Sequence, residues 1–257
     1  MPEIPNIIHF IYPHTELTRP LSFLNYTAVK RAKEIHKPEQ ILFWTNLDNL
    51  SGEWGKLIEP MVTLMKCELP TEYDGVPIKW PQYMSDVMRL QILNEHGGIY
   101  MDTDMLLLKP LYEWMGSKLV MSWEPSEPLG VSACNALIIS PPDNPFIDIW
   151  LFQLPAALKS ETWAEGGVNL PANIWKNHPV VAPRNAEIID PYFFCPLDLK
   201  ASWLFDPELK AEAKYKTKDS LAIHAFETFW RNEVAKVTPE WCKENDCLFS
   251  ELVSKSQ

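Results

Sequence analysis

Positive charge is scarce in this chain: 23 Lys and Arg stand against 34 Asp and Glu, a formal net charge of -11. No basic stripe runs along it, which argues against a nucleic-acid binder. A phosphate-bearing ligand would therefore need local compensation from a metal ion or a placed arginine. Cysteine is also sparse. The five residues Cys67, Cys134, Cys195, Cys242 and Cys247 are scattered, odd in number and free of any CxxC pair. Reduced thiols are the expectation, rather than a zinc cluster or a disulfide framework. The first residues lack a basic segment followed by a long apolar stretch, and no apolar run has the length of a membrane span. The expected location is cytoplasmic, compatible with peripheral contact at the inner membrane face and without a transmembrane segment. Internal repeats, a phosphate-binding Gly-rich loop and a Gly-x-Ser-x-Gly nucleophile elbow are all missing.

What is present suits one α/β domain spanning residues 1–257. Hydrophobic residues make up 46% and charged residues 22%, ordinary values for a globular protein. Ile4 to Ile11 reads as a buried strand, Thr18-Arg19-Pro20 as the start of a helix running to about His36, Ile41 to Trp44 as a second strand and Met61 to Met65 as a third. This spacing predicts a βαβ unit and a partly parallel sheet. A well-marked helix follows Trp80, with Pro81 in its first turn, an apolar body and Gly97-Gly98 as its stop. The chain then re-enters an extended run from Ile99 to Leu108. Ala136 to Ser140 reads as a strand, Asn144 to Leu158 as a helix, and Leu221 to His224 as a short closing strand. Glu161 and Glu165 have the spacing of one helix face.

The chemistry concentrates between Ser85 and Asp104. Asp86 and Arg89 are three apart on a helix and share a face. Asp102 and Asp104 are two apart on an extended segment, so their carboxylates are expected to point to one side. A bare Asp-x-Asp is common in solvated turns, but this pair lies in an apolar run, where ionised carboxylates need a partner. Two carboxylates without His or Cys neighbours suit a hard divalent cation that shares its shell with phosphate oxygens. The planar donor fork of Arg89 suits phosphate or sugar oxygens. His9 and His14 flank Tyr12 but have no third ligand at a zinc-like spacing.

Ser85-Asp86-x-x-Arg89, then Gly97-Gly98-x-Tyr100-x-Asp102-x-Asp104, then Lys109-Pro110, resembles the DXD-containing sugar-transferase family (glycosyltransferase family 32). That family includes yeast initiating mannosyltransferase-like proteins and bacterial capsule and lipooligosaccharide enzymes, and shares a core pattern with the clostridial glucosylating toxins. The opening Ile4-Pro5 to Tyr12 is similar to the family's start. The resemblance implies a GT-A fold with a mixed, mostly parallel central sheet flanked by helices. It also implies a nucleoside-diphosphate sugar donor (UDP-sugar favoured over GDP-sugar), Mn²⁺ or Mg²⁺, and retention of anomeric configuration. It makes Asp86, Arg89, Asp102 and Asp104 the catalytic set, with Asp86 and Arg89 on the sugar hydroxyls. Asp104 would be a direct metal ligand, and Asp102 a ligand or a ribose contact through water. Ile11 and Tyr12 would belong to the donor site, and Tyr12 stands at the nucleobase position, either as a stacking platform or as a buried strand residue. Tyr100 either lines the nucleotide pocket or packs in the core. Asn135 is either a donor-sugar contact or a turn residue before a strand. His224 and Trp230 match the family's C-terminal His and Trp. His224 would be a metal ligand or a diphosphate contact, or else a packed histidine, and Trp230 would close over the diphosphate. Phe229 replaces the family's Ser, and Gly166-Gly167-Val168 stands where Thr-Gly-Pro is common.

The function so implied is hexose transfer from a nucleotide sugar to a glycan or glycolipid, in polysaccharide or lipooligosaccharide synthesis. A transferase acting on a protein acceptor, an inactive carbohydrate-binding homologue, and phosphosugar transfer on the same fold are the alternatives. Retention has two routes, a covalent glycosyl-enzyme or front-face attack stabilised electrostatically. The lack of an obvious nucleophile outside the motif favours the second.

Overall fold

A computed structural model describes residues 3–125, 130, 132–160, 162, 164–198 and 203–254. Glu161 lies outside the described residues, so its pairing with Glu165 is not addressed. The strands are β1 (Ile7–Tyr12), β2 (Gln40–Thr45), β3 (Thr63–Lys66), β4 (Glu72–Tyr73), β5 (Val76–Pro77), β6 (Gly98–Met101), β7 (Met105–Leu107), β8 (Leu119–Trp123), β9 (Ala133–Ser140), β10 (Ala186–Ile189) and β11 (Ala222–His224). Seven of them form the central sheet in the order β10-β8-β9-β6-β1-β2-β3. β1 pairs parallel with β2 and β6, β2 with β3, and β10 with β8, while β9 runs antiparallel between β6 and β8. The mixed, mostly parallel sheet expected from the sequence is therefore present.

Five helices frame the site: α1 (Phe23–Arg31), α2 (Gly52–Ile58), α3 (Pro81–His96), α4 (Pro145–Lys159) and α5 (Leu170–Asn177). They cover both sheet faces. Tyr100 and Ile138 pack with Val87 and Leu93 of α3 and with Phe146 and Trp150 of α4. Ile99 and Ile139 point the other way, into a core with Val29 of α1 and Ile58 of α2. Strand alternation accounts for the split, since neighbours in β6 and β9 serve opposite cores.

Two boundaries differ from the expected ones for identifiable reasons. The first helix begins at Phe23, not at Thr18. Ser22 caps it: its hydroxyl accepts from the Asn25 N–H at 3.3 Å, and the Asn25 side chain accepts from the Ser22 N–H at 2.8 Å. This reciprocal cap satisfies two groups that a start at Arg19-Pro20 would leave open. The α-helix ends at Arg31, and a wider π-turn carries the chain through His36. The extended run from Ile99 to Leu108 is interrupted as well. β6 stops at Met101, and Asp102 to Met105 forms a turn closed by the Met105 N–H on the Asp102 carbonyl at 3.0 Å. β7 then leaves the central sheet and pairs antiparallel with β11.

Gly97 and Gly98 make the turn from α3 into β6 possible. Both have positive φ, +65° and +101°, and a Cβ on Gly98 would meet the Ile7 carbonyl at 2.7 Å. The left-handed backbone and the tight approach to β1 both require glycine. His9 reinforces the junction. Its Nδ1 accepts from Trp44 Nε1 at 3.2 Å, which leaves Nε2–H to donate to the Gly97 carbonyl at 2.9 Å.

Candidate active site

The parallel strands β1, β2 and β6 end at Tyr12, Thr45 and Met101, and Asp102-Thr103-Asp104 follows immediately. Ligand crevices in α/β sheets lie at such carboxyl ends. The two carboxylates are brought together by the turn at 102–105, not by strand alternation. This corrects the expected extended geometry: the backbone must fold back after Met101 because β7 belongs to a different sheet.

α3 delivers the second half of the site. Asp86 and Arg89 are buried on one helix face with Oδ1 and Nη2 3.2 Å apart, and Arg89 Nη1 lies 3.4 Å from Asp102 Oδ1. The Arg89 guanidinium also donates to the Ser85 carbonyl (3.2 Å), the Ser85 hydroxyl (3.2 Å) and the Asn135 carbonyl (2.8 Å), and lies 4.4 Å over the Tyr100 ring. Its donors are thus turned inward and fix the positions of Asp86 and Asp102. The Asn135 side chain donates to Asp86 Oδ1 at 2.9 Å, and the Tyr100 hydroxyl donates to Asp102. Asn135 lies within β9, not in a turn before it. Tyr100 packs in the core with its ring and reaches the site with its hydroxyl.

The C-terminal segment supplies the third side. β11 pairs with β7 and sets His224 beside Asp104, with Nε2 and Oδ1 3.4 Å apart. The Glu227 N–H donates to Asp104 Oδ2 at 2.8 Å. Phe226, between them, has a left-handed φ of +49°, and its ring centre lies 3.9 Å from that of His224 with the planes tilted by 38°. A bulky residue in that region is strained unless its surroundings hold it there. Trp230 lines a pocket with Trp203, Phe205, Phe226 and His224.

Burial and the facing charge of Asp102 raise the Asp86 pKa, partly offset by Arg89 and Asn135. Asp102 is raised by burial and by Asp104, against the pull of Arg89. Asp104 goes the other way: burial opposes its charge, but His224 and the Glu227 N–H outweigh it. Burial equally opposes a charge on His224, and Asp104 outweighs that, leaving the imidazole well above its ordinary value. Two further acids, Glu124 and Glu227, are raised by burial; Glu227 also faces Asp104.

Ligand atoms of Asp102, Asp104 and His224 all lie within 4.8 Å of one another. Five carboxylates here face three basic side chains, Arg89, His224 and Arg19. Two oxygens and one nitrogen, in surroundings with excess negative charge, fit a hard divalent cation.

Ile11 is buried at the end of β1 and packs with the α3 core. Tyr12 is half-buried, 6.3 Å from Phe43 and 5.9 Å from His14 between ring centres, and its hydroxyl donates to the Arg19 carbonyl at 2.7 Å. Three neighbours of the site, Asn25, Glu124 and Glu227, escaped the sequence reading. Asn25 donates both to the Thr103 carbonyl (3.1 Å) and to Glu227 (2.9 Å), bridging α1, the Asp-Thr-Asp turn and the C-terminal loop. The Ser22-x-x-Asn25 cap pattern was its only signal, and that signal speaks of a helix, not of a site. Glu124 and Glu227 carried none. Gly167 lies in a π-turn against Asp86: a Cβ there would meet Asn135 Nδ2 at 2.4 Å and Asp86 Oδ1 at 2.8 Å.

Residues 25–127 match the family described as "glycosyltransferase sugar-binding region containing DXD motif". Over 97% of its length the chain is 29% identical to Glucan organizing enzyme 1 of Cryptococcus neoformans var. grubii, covering 70% of that protein. Among solved structures it is similar to the PaToxG glycosyltransferase, with a TM-score of 0.50 and 14% identity, covering 98% of this chain and 88% of that one. The chain is therefore a glycosyltransferase of the GT-A fold, and its residues 25–127 match the DXD-containing sugar-binding family.

Proposed function

We propose that the chain transfers a hexose from a nucleoside-diphosphate sugar to a glycan or glycolipid acceptor, with retention of configuration and with Mn²⁺ or Mg²⁺ held by Asp102, Asp104 and His224. A UDP-sugar is favoured over a GDP-sugar as donor. The carrying observation is the convergence of those three ligand groups opposite the Asp86–Arg89–Asn135 cluster. The bound cation would supply Lewis-acid stabilisation of the departing diphosphate.

The side chains divide the remaining work. Asp86 accepts from sugar hydroxyls, while Arg89 and Asn135 behind it hold its carboxylate in place. Asp102 is kept in position by Arg89 and the Tyr100 hydroxyl. The loop from His224 to Trp230 closes the diphosphate side, and Tyr12 faces the nucleobase. Four carboxylates at the site are already engaged: Asp86 with Asn135, Asp102 with Tyr100, Asp104 with Glu227 N–H, and Glu227 with Asn25. That favours front-face attack by the acceptor over a free carboxylate nucleophile. The name of the fungal relative, a glucan organizing enzyme, favours a glycan acceptor over a protein one.

A panel of nucleotide sugars with Mn²⁺, read by donor hydrolysis and by the anomeric signal of the product, tests this reading. One UDP-hexose should stand out, and the transferred sugar should keep its donor configuration. An inverted product would overturn the retaining mechanism, and a panel without any cleaved donor the transfer itself.

A further inference from the structure

One imidazole serves two clusters. His224 turns Nε2 to Asp104 and Nδ1 to Cys134, whose sulfur is 3.9 Å away. The Cys134 sulfur lies 2.9 Å from that of Cys195. The Ser122 hydroxyl donates to Cys195 from behind, at 3.8 Å. Both cysteines are buried, and their sulfurs and a His224 ring nitrogen lie within 4.8 Å of one another. β9 contributes Cys134, the end of the helical turn Pro191–Phe194 contributes Cys195, and β11 contributes His224. Residues 61 and 90 positions apart along the chain meet at this point.

Two thiols and an imidazole form a donor set for softer cations than Mn²⁺ or Mg²⁺. We propose that Cys134, Cys195 and His224 Nδ1 bind a divalent cation of the zinc class, and that its occupancy withdraws His224 from the hard-cation site. A neutral imidazole has one nitrogen lone pair to give. A cation on Nδ1 fixes the proton on Nε2, which then donates to Asp104 and is lost as a ligand. With zinc–sulfur bonds of about 2.3 Å, tetrahedral geometry sets the sulfurs about 3.8 Å apart, so binding spreads this pair by about 1 Å. A disulfide is the competing fate of the same two thiols. It would strip His224 Nδ1 of its thiol partner, whereas a cation satisfies all three groups. The binding stands on this cluster alone; the antagonism rests on the reading of Asp102, Asp104 and His224 as the hard-cation site.

Cobalt(II) titrated into the reduced, metal-free protein tests the binding. One ion per chain should raise a thiolate-to-cobalt charge-transfer band that Zn²⁺ abolishes. Cys134→Ser and Cys195→Ser should lose the band, and Asp104→Asn should keep it. If a cysteine variant does not fold, protection of both thiols from alkylation by Zn²⁺ in the wild-type chain reads the same event. Paramagnetic resonance of Mn²⁺ tests the antagonism: one equivalent of Zn²⁺ should weaken Mn²⁺ binding by about tenfold or more in the wild type and not in Cys134→Ser. A missing thiolate band, a band that survives both cysteine substitutions, or a Cys134–Cys195 disulfide formed in place of the complex would overturn the proposal. Failure of the hard-cation reading looks different: Asp104→Asn would then leave Mn²⁺ binding unchanged while the cobalt band behaves as described.

Discussion

The backbone N–H of Glu227 donates to the Asp104 carboxylate at 2.8 Å across 123 residues of sequence. That bond, with β11 on β7, carries the C-terminal loop onto the Asp-Thr-Asp turn and gives Asp104 a fixed orientation. Asn25 holds the same junction from the opposite side, through the Thr103 carbonyl and the Glu227 carboxylate.

Asn25→Ala removes both bridges and half of the reciprocal cap on α1. Unpairing a buried group costs about 1–3 kcal/mol, so a lower thermal midpoint is expected. Because the Thr103 carbonyl and Glu227 lose their tie, Mn²⁺ affinity should fall more than the affinity for the nucleotide sugar without metal. Equal losses of both would show that Asn25 supports only the helix.

Gly167→Ala places a methyl against Asn135 and Asp86, at distances no side chain tolerates. Overpacking of this kind costs about 1–3 kcal/mol. The displaced groups are those assigned to the sugar, so KM for the donor should rise while Mn²⁺ binding holds. Unchanged donor kinetics in a folded Gly167→Ala chain would remove Asp86 and Asn135 from the sugar site.

Burial lowers the His9 pKa from 6.5 to about 4. A histidine depressed on folding leaves the unfolded chain with more bound protons between the two values, so its contribution is fully present above pH 6.5 and is lost as pH falls towards 4. The size is about 3 kcal/mol at 1.36 kcal/mol per unit. His9→Gln keeps a donor for the Gly97 carbonyl and does not titrate. Urea unfolding of the two proteins should therefore show the wild type losing its advantage over the variant across that window, and parallel pH profiles would refute the neutral, buried His9.

The fold was legible where periodicity and punctuation coincide. Pro81 and Gly97-Gly98 bracket α3, and the apolar runs at Ile7–Tyr12 and Gln40–Thr45 form the parallel pair β1 and β2. Asp86, Arg89, Asp102 and Asp104 were legible for the same reason: helix spacing and short range along the chain place them. The turn at Asp102 was hidden, because the departure of β7 from the sheet is decided by β11, more than 100 residues later. Asn25, Glu124 and Glu227 were hidden likewise. Each reaches the site through tertiary contact, and its local pattern describes a cap, a strand end or a loop. Cys134 was read as a scattered thiol because its partners, Cys195 and His224, are distant in sequence.

The central claim is that Asp102, Asp104 and His224 together hold the cation that makes donor cleavage possible. Mn²⁺-dependent cleavage of the matched nucleotide sugar, measured in the wild type, Asp102→Asn and Asp104→Asn with folding checked by circular dichroism, tests it most directly. The account predicts folded variants whose turnover falls by a factor of roughly 10²–10³ or more, as expected when a main electrostatic element of the transition state is removed. Wild-type turnover in either folded variant, or full activity of the wild type with every divalent cation chelated, would contradict it.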